Sequence, residues 1–509
     1  MLKGRRFLAV LALMLSFVFV MTGCGKGSNQ STEGGKDSII VAQGADAKSL
    51  DPHATNDQPS SRVMKQIYNT LVNTNEDMQI VPGLAESWEQ KDEKTWVFNL
   101  RKGVKFHNGE ELKAGDVKFT LERMLASDKV NHIVEAIAKV EAPEDYKVVI
   151  TLKEPFAPIL SHLSHTAASI LNEKAVKEAG ENYGQKPVGT GPFKFVNWQS
   201  GDKIELEAFN EYYEGAPKIK KITFRNVAEG STRTIGLETG EIDIAYDIEP
   251  VDKERVKNND KLTLVEEPSL SVAYIGFNTN KEPFNKKEVR QAINYAINRD
   301  DIITAVLNGA AEKAGAPIGP KVFGHNPNIK PYEYNVEKAK ELLKQAGLEK
   351  GFKTTIWTND NPVRVQIAQI VQAQLKEIGI DVKIETLEWG SYLDRTARGE
   401  HDMFILGWVT VTGDADYGLY ALYHSSQKGG AGNRSFYENK KVDELLDKAK
   451  VTSDSKEREN LYYQIQEIVV EDAPVANLYY QTQNVGMQKA IKGFRLHPAG
   501  HHRLYNVSF

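Results

Sequence analysis

The stretch TTIWTNDNPVRVQIAQIVQAQLKEIGIDVKIETL, residues 354–387, decides the fold that the sequence predicts. Its first five and last eight residues are rich in Thr, Ile and Val and are typical of strands. Between them, apolar residues recur at helical spacing until Gly379 ends the helix: Val363, Ile367, Ile370, Val371, Leu375 and Ile378. A strand, a helix and a second strand predict a βαβ crossover in a largely parallel sheet, whose ligands bind beyond the carboxyl ends of the strands.

A third apolar strand, residues 403–408, leads into the loop GWVTVTGDADYGLY, residues 407–420. Glycine-punctuated loops that leave a buried strand often carry binding groups. The candidate binding residues in this loop are Gly407, Trp408, Asp414, Asp416 and Tyr417. Because the two acids stand two residues apart, an extended chain would point them to opposite sides, so that one could meet a ligand while the other caps the loop. The alternative is that both acids are solvated turn residues.

The N-terminus has the pattern of a secretory signal peptide, which we predict to be residues 1–23. Lys3, Arg5 and Arg6 precede an apolar run over residues 7–20. That run is shorter than the roughly 20 residues that a membrane-spanning helix needs, and no later stretch is as long and apolar. The mature chain is therefore not predicted to cross a membrane.

Cys24 follows this run and is the only cysteine in the chain. It has no partner for an intramolecular disulfide. The small residues Thr22 and Gly23 before it resemble a bacterial lipobox, which implies that Cys24 is acylated and becomes the new N-terminus. Residues 24–36 are rich in Gly, Ser, Asn and Lys and predict a flexible tether. We therefore expect a protein that is lipid-anchored to the outer face of the cell membrane.

Composition and motifs exclude several classes of function. The chain has 509 residues, of which 40% are hydrophobic and 26% charged, with a formal net charge of -5. This length predicts more than one lobe, and the charge gives no basic footprint for nucleic acid. No catalytic constellation is recognisable, so neither an enzyme nor a cofactor is predicted. The histidine pairs His162 with His165 and His501 with His502 lack a nearby third ligand, and we predict helix-surface or core histidines rather than a metal site.

The N-terminal half predicts further strands and helices. After Ser60, the apolar residues Val63, Ile67 and Leu71 recur every four positions, which predicts a helix. Residues 95–100 alternate and are followed by a turn and by residues 104–106, which predicts an antiparallel hairpin. Residues 114–126 predict a helix with one apolar face.

Several motifs closely resemble the signature of the family 5 extracellular solute-binding proteins, the peptide and nickel receptors of ABC importers. They are LAESW (residues 84–88), WVFNLRKGVKFHNGE (96–110), PVGTGPF (187–193), LETGEIDIA (237–245), YIGFN (274–278) and VRQAINYAINR (289–299). The resemblance covers almost the whole predicted mature chain. In the family, the segment that PVGTGPF resembles lies at the crossing between two lobes.

The resemblance implies an α/β fold with mixed sheets, in which two lobes of the periplasmic-binding-protein type meet at a hinge. Its implied lobe I consists of residues 37–70, 186–275 and 490–509. Residues 71–185 form an extra subdomain of that lobe, and residues 276–489 form lobe II. A monomer that closes its lobes around a ligand is expected.

The resemblance also implies a ligand and its contacts. A short peptide, captured and handed to ABC permease subunits, would place its amine against Asp414, with Asp416 as the second candidate, and its carboxylate against Arg364. The loop at residues 407–417 resembles the branch assigned to glutathione import. The alternatives are a receptor for nickel or a metal chelate and, in a different class, an extracellular peptidase or chaperone-like module.

Overall fold

The structure is a computed structural model, and it describes residues 36–429 and 432–509. The predicted signal peptide, Cys24 and most of the predicted tether lie outside the described residues. No described helix is both long enough and apolar enough to cross a membrane.

A mixed sheet of 11 strands runs through the molecule. In order along the chain, all strands are β1 (Ser38–Gln43), β2 (Val72–Thr74), β3 (Ile80–Pro82), β4 (Ala85–Gln90), β5 (Thr95–Leu100), β6 (Ile137–Glu144), β7 (Lys147–Leu152), β8 (Phe193–Gln199), β9 (Lys203–Ala208), β10 (Lys221–Asn226), β11 (Ile244–Tyr246), β12 (Leu262–Phe277), β13 (Glu312–Lys313), β14 (Phe352–Asn359), β15 (Ile380–Leu387), β16 (Met403–Val409) and β17 (Val475–Gln488). The order across the large sheet is β15, β14, β16, β12, β17, β11, β1, β10, β9 and β8, and β13 pairs with β17.

Fifteen α-helices are described, and they lie between the strands. They are α1 (Gln58–Ile67), α2 (Ala114–Leu125), α3 (Asn131–Val134), α4 (Ile159–Leu163), α5 (Glu173–Ala179), α6 (Gly230–Thr239), α7 (Lys253–Lys257), α8 (Lys287–Ala296), α9 (Arg299–Ala305), α10 (Val336–Gln345), α11 (Pro362–Lys376), α12 (Trp389–Ala397), α13 (Ala415–Tyr423), α14 (Lys440–Val451) and α15 (Ser455–Asp472).

The βαβ crossover predicted from residues 354–387 is confirmed. β14 pairs in parallel with β15 from Phe352 opposite Ile380 to Asn359 opposite Leu387, and α11 connects them. The predicted apolar stripe faces the core, since Ile367, Val371 and Leu375 are buried. The sheet as a whole is mixed rather than largely parallel, because β16 and β17 both pair antiparallel with β12.

Two long strands join the two lobes of the molecule. β12 and β17 pair with each other at the centre of the large sheet. On its other side β12 pairs with β16, and β17 pairs with β11. We call β1 and β8–β11 with their helices the first lobe, and β14–β16 with their helices the second lobe. The register of β12 against β17 shifts between Pro268 and Val272, so the ladder is irregular where the lobes meet.

A separate antiparallel sheet of four strands, in the order β4, β5, β7 and β6, lies within the segment between α1 and β8. Here the predicted hairpin is wrong. β5 pairs with β4 and β7, which occupy both of its edges. Residues 104–106 therefore cannot reach it, and Lys105 instead forms an isolated antiparallel bridge with Glu111.

The PVGTGPF segment packs against the end of α1. The Gly191 N–H donates to the Ile67 carbonyl at 2.8 Å. A Cβ atom at Gly189 would lie 2.1 Å from the Ile67 carbonyl oxygen, and one at Gly191 would lie 2.5 Å from that of Gln66. Glycine is needed here because two backbones approach each other, and not because of an unusual dihedral angle.

Candidate ligand-binding cleft

A cleft of about 370 Å³ lies between the first and second lobes. Residues just beyond the carboxyl ends of β1, β11, β14, β15 and β16 line it, and Ser269, Ser271, Tyr479 and Gln481 of the long strands contribute to its wall. These five strands belong to the parallel pairings of the sheet. Loops at such strand ends can present side chains to a ligand without disturbing the core.

Arg364, Gly407, Trp408 and Tyr417 all line this cleft. Their positions follow from the strands that precede them. Arg364 lies in the first turn of α11, whose start is capped by the Asn361 side chain, which accepts from the Arg364 N–H at 3.1 Å. Gly407 and Trp408 belong to the end of β16, and Tyr417 lies in α13 just after it.

The guanidinium of Arg364 has one hydrogen-bond acceptor and one aromatic neighbour in the protein. Its Nη1 donates to Asn359 Oδ1 at 3.0 Å, and its Cζ lies 5.5 Å from the ring centroid of Trp389. Within residues 36–429 and 432–509, no carboxylate lies within ion-pair distance of it. A guanidinium has five N–H donors in a planar fork that fits a carboxylate, so most of its donors remain for a ligand.

Asp414 has structural partners and does not line the cleft. Its Oδ1 accepts from the Asp416 N–H at 3.0 Å and thereby caps α13. Its Oδ2 lies 2.9 Å from Arg458 Nη2, and both side chains are only 9% exposed. Burial raises the pKa of the Asp414 carboxyl above its usual value, although the Arg458 charge opposes this. The predicted contact between Asp414 and a ligand amine therefore has no support in this geometry.

Asp416 is also turned away from the cleft. It is 1% exposed, and its Oδ2 lies 3.1 Å from His162 Nε2. Burial raises the pKa of the Asp416 carboxyl, but the neighbouring His162 and the Lys450 charge outweigh this and hold the pKa below its usual value. This buried position does not support the predicted role of Asp416 as the second candidate for the ligand amine either. Both acids fasten the loop and α13 instead.

The two histidine pairs of the sequence are buried, and they are not arranged as metal ligands. α4 ends at Leu163, so His165 does not share its face with His162. His162 Nδ1 contacts the Ile133 carbonyl at 2.7 Å, and His165 Nε2 contacts Tyr417 Oη at 3.0 Å. His501 and His502 are likewise core residues. In the part of the chain that the structure describes, no group of three or more His, Cys, Asp or Glu side chains is placed to hold a metal ion.

Comparison with known proteins agrees with this architecture. Residues 79–430 match the family described as bacterial extracellular solute-binding proteins, family 5 Middle. The chain is 37% identical over 448 residues to a glutathione-binding protein of Pectobacterium atrosepticum, covering 86% of this chain and 87% of that protein. It is 35% identical over 474 residues to the dipeptide-binding protein of Escherichia coli, covering 87% of this chain and 89% of that protein.

The chain belongs to family 5 of the bacterial extracellular solute-binding proteins. It is therefore a transport receptor, the solute-binding component of an ABC importer, and not an enzyme. Its fold matches that of a Helicobacter pylori periplasmic binding protein solved with the peptide STSA, with a TM-score of 0.89, 36% identity, and 93% and 98% of the two chains covered. A Staphylococcus aureus protein solved with Ni(L-His)2 matches with a TM-score of 0.85 and 27% identity, and 92% and 99% of the two chains are covered.

Most charged groups that line the cleft of this solute-binding protein already have partners. Arg62 donates to both carboxylate oxygens of Asp247, at 2.8 and 3.2 Å, and Lys48 pairs with Asp394. Lys253 Nζ lies 2.8 Å from Glu266 Oε1. Because each pair neutralises itself, these groups add little net charge for a ligand.

Two further acids line the cleft, and they differ in the partners that their carboxylate oxygens have within the protein. Asp57 caps α1 and accepts from Thr55 Oγ1 at 2.7 Å. Glu249, which follows β11, has no basic group within ion-pair distance among the residues described. Burial raises the pKa of its carboxyl. Glu249 is thus a cleft carboxylate without a close ion pair among the described residues, although the Arg233 charge and a hydrogen bond from the Gly230 backbone oppose the rise in its pKa.

Among the described residues of the two lobes, polar contacts cross the cleft at three places. The Trp389 indole Nε1 of the second lobe donates to Asp57 Oδ2 of the first lobe at 3.1 Å. Asn56 Nδ2 donates to Tyr417 Oη at 3.4 Å, and the Lys48–Asp394 ion pair is the third contact. No sequence pattern pointed to Trp389, Glu249 or the Lys48 pair. Only Asp57 carried a local signal, since an Asp before Pro59 is typical of a helix cap.

Proposed function

We propose that this solute-binding protein captures short peptides, such as di- or tripeptides or a glutathione-like compound, and delivers them to an ABC permease. The observation that supports it most is the Arg364 guanidinium, which lines the cleft without a carboxylate partner in the described part of the chain. The relatives named for dipeptide and glutathione binding are consistent with such a ligand. A peptide carboxylate pairs with a guanidinium through two parallel hydrogen bonds.

The other end of the peptide would be read in the opposite lobe. Glu249 belongs to the first lobe and Arg364 to the second, and both line the same cleft. A zwitterionic peptide would place its ammonium near Glu249 and its carboxylate on Arg364. Such a ligand bridges the lobes, so that its contacts are complete only when the lobes are together.

Calorimetry with alanyl-alanine and reduced glutathione tests this assignment. Arg364→Ala should weaken binding of the better probe by about 3 kcal/mol or roughly 100-fold, because the ligand carboxylate then loses its charged partner. Glu249→Gln should weaken binding of the free peptide but not binding of its N-acetylated form. Arg398→Ala is the control, since Arg398 is 61% exposed and contacts Glu400. Wild-type protein that binds neither probe would contradict the proposed ligand class.

A receptor for nickel chelates is the alternative function, because a structurally similar protein was solved with Ni(L-His)2. Among the described residues that line the cleft there is neither a histidine nor a cysteine. A nickel ion would therefore have to bring its own nitrogen or sulfur ligands. If binding of the purified protein's natural ligand is lost on treatment with a chelator, the peptide proposal fails.

We further propose that Cys24 is lipid-modified and holds the receptor at the outer face of the cell membrane. It is the sole cysteine and follows the signal-like run. Cys24→Ser should release the protein into the medium, because a single short apolar run cannot anchor a chain from which it has been cleaved. A mutant that stays with the membrane fraction would argue against the anchor.

A further inference from the structure

Trp389 is held rigidly at the start of α12. The Glu388 side chain caps this helix by accepting from the N–H groups of Gly390 and Ser391 at 2.9 and 3.0 Å. The indole also stacks on Tyr392, with 6.1 Å between ring centroids and 27° between planes. Tyr392 is fully buried and donates its hydroxyl to the Ile405 carbonyl at 2.6 Å. The ring therefore has a fixed support on the second lobe.

The same indole contacts two charged groups that belong to opposite lobes. Its π face lies 5.5 Å from Arg364 Cζ, a cation–π arrangement within the second lobe. Its Nε1 donates at 3.1 Å to Oδ2 of Asp57, which lies in the first lobe and is 7% exposed. The hydrogen bond to Asp57 crosses the cleft, so it can exist only while the lobes are together.

We propose that Trp389 is a positioning residue, which orients Arg364 for a ligand carboxylate and couples that contact to lobe closure through its N–H bond to Asp57. This inference rests on the proposed function, in which Arg364 binds the carboxylate. Because the ring that packs against Arg364 also donates to Asp57, the carboxylate contact and the closed-state bond depend on one correctly placed side chain. Closure gains stability only from contacts made in the closed state, and this bond is one of them.

The cross-cleft bond is tested with matched substitutions at Asp57. Both Asn and Ser keep the cap of α1, but only Asn is long enough to accept from Trp389. Asp57→Ser should speed the release of alanyl-alanine or reduced glutathione about tenfold at an unchanged association rate, as expected for one lost hydrogen bond to a charged acceptor. Asp57→Asn should release the same probe at a rate within about threefold of wild type.

Trp389→Phe separates the bond from any direct contact between Asp57 and the probe. Phenylalanine keeps an aromatic face for Arg364 but has no N–H. It should accelerate release as Asp57→Ser does, and the double variant should be no faster than either single one. Additive effects would mean that Asp57 acts on the probe by itself, and the coupling would be refuted.

The positioning role has its own readout in the preference for a free carboxylate. In wild type, amidation of the C-terminus of alanyl-alanine should weaken binding about 100-fold, because Arg364 loses its partner. Trp389→Ala should shrink this penalty to less than about tenfold, whereas Trp389→Phe should retain it. A variant that merely unfolds would instead lose binding of both forms and show a lower melting temperature. An unchanged penalty in folded Trp389→Ala would overturn the positioning role.

A measurement without any probe distinguishes failure of the proposed function from failure of this inference. If wild type binds neither probe, the small-angle scattering of the ligand-free variants still reports on the lobe contact. The radius of gyration of Asp57→Ser should then exceed that of Asp57→Asn. Equal radii would overturn the inference about closure whatever the natural ligand is.

Discussion

Asp414 and Arg458 form a buried ion pair at the start of α13. Removing one partner of such a pair costs more than the pair is worth, because the other charge stays buried without compensation. Asp414 also supplies the cap of α13, which by itself is worth about 1 kcal/mol. Its importance is therefore structural, and we expect it to appear in stability and not in ligand affinity.

Asp414→Ala should lower the free energy of unfolding by about 3 to 5 kcal/mol, because Arg458 is left unpaired and α13 loses its cap. Urea unfolding followed by circular dichroism measures this. Asp260→Ala is the control, since Asp260 is an exposed residue of a surface turn, and it should change stability by less than about 0.5 kcal/mol. A mutant as stable as wild type with much weaker peptide binding would return Asp414 to the ligand.

Several histidines are buried in a neutral form. Burial lowers the pKa of His53, His132, His401 and His502 to about 3 and that of His107 and His497 to about 4. In the unfolded chain the same side chains titrate near 6.5. Between about pH 4 and 6.5 the unfolded state therefore binds more protons than the folded state, and folding is favoured by raising the pH.

The free energy of unfolding should consequently fall as the pH is lowered from 7 to 5. Each neutral histidine contributes at most about 1.4 kcal/mol per pH unit below 6.5, and the six together should produce a loss of several kcal/mol. Urea midpoints measured at pH 7, 6 and 5 check the slope. A midpoint that is constant over this range would mean that the histidines bind protons equally in the folded and unfolded states, so that burial does not lower their pKa.

At the scale of an element, the PVGTGPF segment shows how a short motif fixes the path of the chain. Gly191 both donates to the Ile67 carbonyl and leaves room for the backbone at the end of α1. The segment enters β8 directly, so its position sets the edge strand of the first lobe. A side chain at Gly191 would push α1 and the segment apart.

Gly191→Ala should lower stability by about 1 to 3 kcal/mol or more, because its Cβ would meet backbone atoms that have no flexible end to move. Gly115→Ala provides the matched control. Gly115 lies inside α2, where a Cβ would meet nothing within 4 Å, so alanine should be neutral or stabilise by up to about 1 kcal/mol. Thermal unfolding of the two variants should shift in opposite directions or at least by clearly different amounts.

The elements that the sequence predicted well are those governed by local periodicity. β15 and α11 match the predicted segments closely because side-chain spacing and helix-ending signals act within a few residues. Strand pairing is not local, and the hairpin expected at residues 95–106 failed because β4 and β7 compete for β5. Likewise, spacing could not reveal that Arg458, far along the chain, takes Asp414, or that Trp389 lies beside Arg364.

At the scale of the whole molecule, the lobes are joined by the shared pair of long strands, and three polar contacts between described residues bridge the cleft. The register of β12 against β17 shifts beside Ser269 and Ser271, which line the cleft. A ladder interrupted there can bend more readily than a regular one. We therefore expect the lobes to rotate about this point as the cleft opens and closes.

A cross-link across the cleft should lock this movement. In a Cys24→Ser background, Lys48→Cys with Asp394→Cys places the only two thiols at a contact between the lobes. Because the native contact uses the whole length of a lysine side chain, which a direct disulfide does not span, a short bis-methanethiosulfonate reagent bridges the two thiols. Cross-linking should proceed readily in the presence of a bound peptide and should slow peptide release at least tenfold. Reduction should restore the rate measured before cross-linking. Release that is equally fast before and after cross-linking would show that opening at this contact is not required.

The pairing of β12 with β17 also bears on how the chain acquires its structure. Thr263 faces Met487 in the ladder although more than two hundred residues separate them. Contacts between such distant segments form late, because a long loop must close before they are gained. A chain made from its N-terminus must therefore be nearly complete before its central strands can join. For an extracytoplasmic receptor, that delay would keep the centre of the large sheet unformed, and so the polypeptide easier to translocate, until the last part of its synthesis.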